Sequence, residues 1–208
     1  LLPTLLTYDR IETIESPIRD NIDYLNINPD EIVGLTVKKL DVLESTVSEP
    51  YSFTDLTQDL GLKIPLSISR ELDDKFDLFI FGGNTFDQNE CARAKNQPPS
   101  CYGPRLGLAL KTANPVQLAT AFRTWEKTMT TDLKALVLSK IGNAAMPGFQ
   151  TGNYQSQIIH YKNLPLNTVT VEYVLAGDVL IITTSKSSML KALDALATTE
   201  EPILYESE

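Results

Sequence analysis

The stretch Thr168 to Ala197, TVTVEYVLAGDVLIITTSKSSMLKALDALA, constrains the fold more than any other part of this 208-residue chain. Val169, Val171, Tyr173 and Leu175 alternate with Thr168, Thr170 and Glu172, the period of a strand with one buried and one polar face. Ala176-Gly177-Asp178 supplies a tight turn, because glycine accepts the positive φ that a hairpin needs. Val179 to Ile182 is apolar on both faces and is expected inside a sheet. Ser185 or Ser187 can cap a following helix, on which Met189, Leu193 and Leu196 share a face.

The same order of elements occurs once earlier. Phe76–Phe81 and Leu106–Leu110 read as strands, and Asn114-Pro115 opens a helix. A shift of about 72 positions sets Leu108, Leu110, Thr112 and Leu118 on Leu180, Ile182, Thr184 and Leu190. Duplication and ordinary α+β regularity both account for so few matches. The expectation is an α+β fold: a mainly antiparallel sheet with helices packed on one face and two strand–strand–helix units, at 76–142 and 154–198.

Around these units, 1–30 reads as an N-terminal arm, 31–198 as a single domain and 199–208 as an acidic tail. Glu31–Leu43 reads as a strand, with Val33, Leu35 and Val37 opposing Gly34, Thr36 and Lys38. Ser52-Phe53-Thr54-Asp55 resembles a capping box, with Leu56 and Leu60 behind it and Gly61 as the stop. Pro65–Asp74 can hold another short helix. From Pro115, the spacing of Leu118, Phe122, Trp125, Met129, Leu133 and Leu136 predicts one long amphipathic helix, kinked where Thr128, Thr130 and Thr131 cluster. Asn143–Asn153 reads as a loop and Ser156–Tyr161 as a strand.

The net charge of −9 and a pI near 4.7 argue against nucleic acid and anionic membrane surfaces as partners. No apolar run is long enough to span a bilayer. Leu1 stands where an initiator methionine would be, so an upstream signal peptide or N-terminal anchor is expected, an ordinary truncation being the other source of such a start. Cys91 and Cys101 are the two cysteines, both in a polar, proline-containing connection. Outside the cytoplasm such a close, exposed pair is expected to form a disulfide, contributing about 2–3 kcal/mol on the chain-entropy model.

Chemistry-bearing motifs are few. His160 is the only histidine and reads as structural or as a surface group. Ser188-Met189-Leu190-Lys191 matches Ser-x-x-Lys, which sets a hydroxyl and an amine on one helical turn, so an acyl hydrolase using Ser188 and Lys191 is the enzymatic alternative. The companion Ser-Asp-Asn signature is missing, and Lys111-Thr112-Ala113 has alanine where glycine belongs. Asp73, Asp74, Asp77, Asp87 and Glu90 gather near one strand and could offer oxygen ligands to Ca²⁺, but they lack EF-hand spacing and read as a solvated rim. Trp125, with Phe122 and Met129, could line a small-ligand groove, though such a stripe is ordinarily core. Neither a catalytic set nor a metal or cofactor site is expected.

The runs Asp77-Leu78-Phe79-Ile80-Phe81-Gly82, Trp125-Glu126-Lys127-Thr128-Met129 and Asp178-Val179-Leu180-Ile181-Ile182-Thr183-Thr184-Ser185 resemble envelope proteins of small-genome uncultured bacteria. The last run is also similar to the closing strand of bacterial extracytoplasmic domains of unknown function. The resemblance spans about Val33 to Leu196, carries no catalytic residue, and makes the Cys91–Cys101 loop an insertion. It implies an exported domain behind an N-terminal membrane anchor. The expected function is a non-enzymatic, extracytoplasmic domain of a membrane-anchored cell-envelope protein that works through contacts with a protein partner.

Overall fold

The computed structural model describes residues 4–9, 27–28, 31–40, 47–82, 105–137, 148–165 and 169–199. The chain enters with strands β1 (Thr4–Asp9), β2 (Ile32–Leu40) and β3 (Val47–Pro50), then helices α1 (Phe53–Asp59) and α2 (Leu66–Ser69). Strands β4 (Leu72–Phe81) and β5 (Arg105–Thr112) lead to α3 (Pro115–Trp125), α4 (Met129–Asp132) and a 3-10 turn at Lys134–Leu136. Strands β6 (Gln150–Tyr154), β7 (Gln157–Asn163), β8 (Thr170–Ala176) and β9 (Val179–Thr183) precede α5 (Lys186–Thr199). Among the described residues the strands form one nine-stranded sheet in the order β1-β2-β4-β5-β9-β8-β7-β6, with β3 paired beside β2. Every pairing is antiparallel except β1 with β2. The α+β class with a mainly antiparallel sheet is therefore as the sequence reads.

The helices, however, cover both faces of that sheet. On the first face, Leu78, Ile80, Leu106, Leu108, Leu110, Tyr173, Leu180 and Ile182 pack with Leu56 of α1, Ile68 of α2 and the Leu118–Phe122–Trp125 stripe of α3. On the second, Phe79, Phe81, Ile159, Val174 and Ile181 pack with Met189, Ala192 and Leu193 of α5. The reason lies in the strands. Phe79 and Phe81 alternate with Leu78 and Ile80, and Ile181 with Leu180 and Ile182, so the central strands are apolar on both sides. One helical layer would leave half of that surface in water, at about 25 cal/mol per Å² of apolar area. At Gly107 the second face needs a hydrogen where a methyl would be, because a Cβ there would overlap the Phe79 ring.

The strands of the two similar units are related by a local two-fold. The register pairs Leu108 with Ile182, Ala109 with Ile181 and Leu110 with Leu180, symmetric about Ala109–Ile181. The shift of about 72 positions maps each of these β5 residues onto its counterpart in β9. Helices α3 and α5 do not share the relation, since they leave Thr112 and Thr184 for opposite faces.

Local structure follows the sequence at several points. The Ser52 side chain accepts a hydrogen bond from the Asp55 amide at 3.0 Å, and the Asp55 carboxylate accepts from the Ser52 amide at 3.2 Å. This is the reciprocal cap read from the motif. Gly61 follows the helix at φ +62°, and Gly177 makes the β8–β9 turn at φ +62°. The long helix expected from Pro115 instead ends at Trp125, and the chain continues through a turn into α4 and the 3-10 turn. Its apolar periodicity survives: Leu118, Phe122, Trp125, Met129, Leu133 and Leu136 are all buried. Trp125 Nε1 donates to Asp132 Oδ2 at 2.8 Å, clamping the break where the threonines cluster. Only Leu66–Ser69 of Pro65–Asp74 is helical, and β4 already begins at Leu72. Residues 4–9, read as part of an arm, form an edge strand parallel to β2, and 150–153, read as loop, belong to β6.

Candidate functional site

The polar groups that could do chemistry fall into two places, one on each face of the β8 strand. On the first face Tyr173 points among the aromatic residues. Its ring centroid lies 4.5 Å from that of Phe122, 5.9 Å from Phe149 and 4.6 Å from the His160 imidazole, which stacks on it at 16°. The Tyr173 hydroxyl donates to Glu126 Oε1 at 2.7 Å, and His160 Nδ1 lies 2.9 Å from the same oxygen. Glu126 is the C-cap residue of α3. There its carboxylate faces the negative end of the helix dipole, and the proton donated by Tyr173 offsets that. Burial, then the Glu126 contact, push the Tyr173 phenol well above its ordinary range, with Arg123 acting weakly in the opposite sense. A raised phenol holds its proton, in keeping with the bond that Tyr173 donates to Glu126. The half-exposed His160 ties strand β7 to the end of α3.

On the second face β8 buries Glu172, which is only 2% exposed. Thr170 Oγ1 donates to Glu172 Oε1 at 2.9 Å. Loss of solvation pushes the Glu172 carboxyl up to about 7, resisted by the Thr170 hydroxyl and the charge of Lys186. Glu172 stands in register with Thr183, and Thr183 with Gly107. Beside it, Thr183, Ser185 and Ser188 are buried at the start of α5, and Thr183 Oγ1 donates to the Ser185 carbonyl at 3.2 Å. Ser185 Oγ donates to Ser188 Oγ at 2.9 Å, and Ser188 Oγ donates to the Ser185 carbonyl at 2.8 Å.

These distances place the residues singled out from the sequence. Ser188 is 0% exposed and its proton is spent on a main-chain carbonyl, while Lys191 is exposed. The two are not brought together as a nucleophile and its base. Trp125, Phe122 and Met129 lie in the core, and none of them lines the cavities along Ser67–Thr124 or Phe53–Asp74. Asp74 Oδ1 accepts from the Thr54 amide and hydroxyl, both at 2.9 Å, and so serves the first turn of α1. Asp73 and Asp77 are exposed, and Asp87, Glu90, Cys91 and Cys101 lie outside the described residues. Among the described residues no three His, Cys, Asp or Glu side chains gather as a metal site, and no helix is long and apolar enough to cross a membrane.

Two features escaped the sequence reading. Glu172 sits in an alternating strand on what reads as the solvent side. The signal was present in Val179–Ile182, whose two apolar faces require a second covering layer that also covers Glu172. The other is a surface. α2 and α3 lie side by side, and Ser67, Asn114, Val116, Gln117, Thr120, Ala121 and Thr124 line an open groove of about 600 Å³ between them. None of these residues is ionisable. Val116 is 78% exposed and Leu66, next to Ser67, 62% exposed. Comparison with protein-family models, curated proteins and solved structures finds no match to this chain.

Proposed function

We propose that this chain is a non-enzymatic, extracytoplasmic domain of a membrane-anchored cell-envelope protein, and that it holds a protein partner in the α2–α3 groove. The carrying observation is the pair of apolar side chains, Leu66 and Val116, standing exposed beside an uncharged groove on a chain of net charge −9. Scattered exposed apolar residues are ordinary, but here they flank a concavity that offers hydroxyl and amide groups and no charge. The partner that fits is an uncharged protein segment presenting apolar side chains to Leu66 and Val116. An anionic or cationic small molecule would find no counter-charge there. The buried, self-satisfied Ser188 supports the non-enzymatic part of the reading. The extracytoplasmic part rests on the resemblance and on Cys91 and Cys101. Mass measurement of native material under non-reducing conditions is expected to find these two cysteines joined; two free thiols in secreted material would contradict the placement. The contact itself is tested by photo-crosslinking from position 116.

A further inference from the structure

We propose that the outer edge of β6 pairs antiparallel with β6 of a second copy of this chain, about a two-fold axis at Gly152. Strand β6 ends the sheet, and among the described residues nothing pairs with its outer side. Edge strands are ordinarily guarded by charges, proline or a bulge. β6 has none of these: its sequence is Gln-Thr-Gly-Asn-Tyr, and its register with β7 runs without a shift from Gln150↔Tyr161 to Tyr154↔Gln157.

The edge is also held ready. Gln155 and Ser156 form the two-residue turn to β7 with φ values of +47° and +64°, a conformation disfavoured for residues with a Cβ. Asp194 on α5 clamps that turn, accepting from the Tyr154 hydroxyl at 2.9 Å and Gln155 Nε2 at 2.7 Å. A strained turn held by tertiary contacts keeps the strand straight before any partner arrives, which lowers the ordering cost of pairing.

The hydrogen-bond phase selects the register. Tyr154 and Gln157 flank a two-residue turn and form a hydrogen-bonded pair, so bonding to β7 alternates back through Gly152 and Gln150. The amides and carbonyls of Thr151 and Asn153 therefore point outward. A two-fold at Gly152 sets Thr151 against Asn153 of the second copy, and the reverse, satisfying all four pairs of groups in one closed interface. Because β6 carries no charge, two copies of a strongly acidic chain meet there without opposed carboxylates.

The test is sedimentation equilibrium of the full chain over ~10 µM to 1 mM, the range suited to a small interface. The native chain is expected to show a monomer–dimer equilibrium. Thr151→Lys with Asn153→Lys places lysine against lysine across the axis and is expected to weaken the dimer at least roughly tenfold, although it lowers the net negative charge. Thr151→Lys with Asn153→Asp places lysine against aspartate in the same register and is expected to dimerise as well as the native chain or better. Circular dichroism checks that both variants keep the fold. A native chain that stays monomeric throughout, or two variants that dimerise equally, would overturn the proposal.

Discussion

Replacing Glu172 by Gln is expected to stabilise this protein at pH 8 by about 3 kcal/mol while changing little at pH 4. The carboxyl is 2% exposed and burial pushes it up to about 7, from an ordinary value of 4.5. Between those values the folded chain keeps a proton that the unfolded chain has released. Folding therefore takes up a proton in this window, and stability falls as pH rises through it. The stabilising effect of the raised value is fully present below about 4.5 and gone above about 7. Each unit of difference is worth about 1.4 kcal/mol, which gives the figure of about 3 kcal/mol. Glutamine keeps the shape and can still accept from Thr170 Oγ1, yet carries no charge to desolvate. For a chain of this length the melting temperature at pH 8 should rise by about 6–12 °C. Thermal melts of both proteins across pH 4 to 9 decide it. If the two curves stay parallel, the carboxyl is ionised or solvated throughout and the closed second face is wrong.

The second large effect is expected at Phe122. It is 0% exposed, and its ring meets Tyr173 at 4.5 Å and Trp125 at 5.2 Å, so it joins α3 to the middle of the sheet. Phe122→Ala removes that contact and leaves a cavity between elements already fixed by their own hydrogen bonds. The loss is expected at about 3–5 kcal/mol, or about 6–20 °C in melting temperature. Val116→Ala, on the exposed side of the same helix, should move the melt by less than about 1 °C. Equal losses at the two positions would mean that α3 does not present the face described.

The sequence made the local rules legible and left the layering obscure. The Ser52–Asp55 cap, the Gly177 turn and the β8–β9–α5 unit depend on neighbours within a few residues, and each is found where its pattern stands. The second helical layer depends on which way α5 leaves β9, and no periodicity encodes that. A strand apolar on both faces states only that something covers each. β6 was missed because Gln150, Thr151, Gly152 and Asn153 show no apolar alternation, and Gly152 and Asn153 disfavour strand against Thr151 alone. Pairing with β7 and the Asp194 clamp set its conformation. The long helix from Pro115 was overread for the opposite reason. Its apolar period persists through the break, since both short helices turn the same stripe to one core. At the Glu126 cluster the three partners come from α3, β7 and β8, separations that motif reading does not reach.

The groove between α2 and α3 is proposed as a protein-docking surface. A photo-reactive residue at position 116, in the protein expressed in its own cells, tests this directly. Val116 is open enough that the replacement should leave the fold intact. Illumination is expected to yield one dominant adduct with a protein, lost when Leu66→Asp is added and absent when the same group sits at Lys191. No protein adduct from position 116, or equal labelling from 116 and 191, would contradict the assignment of the groove.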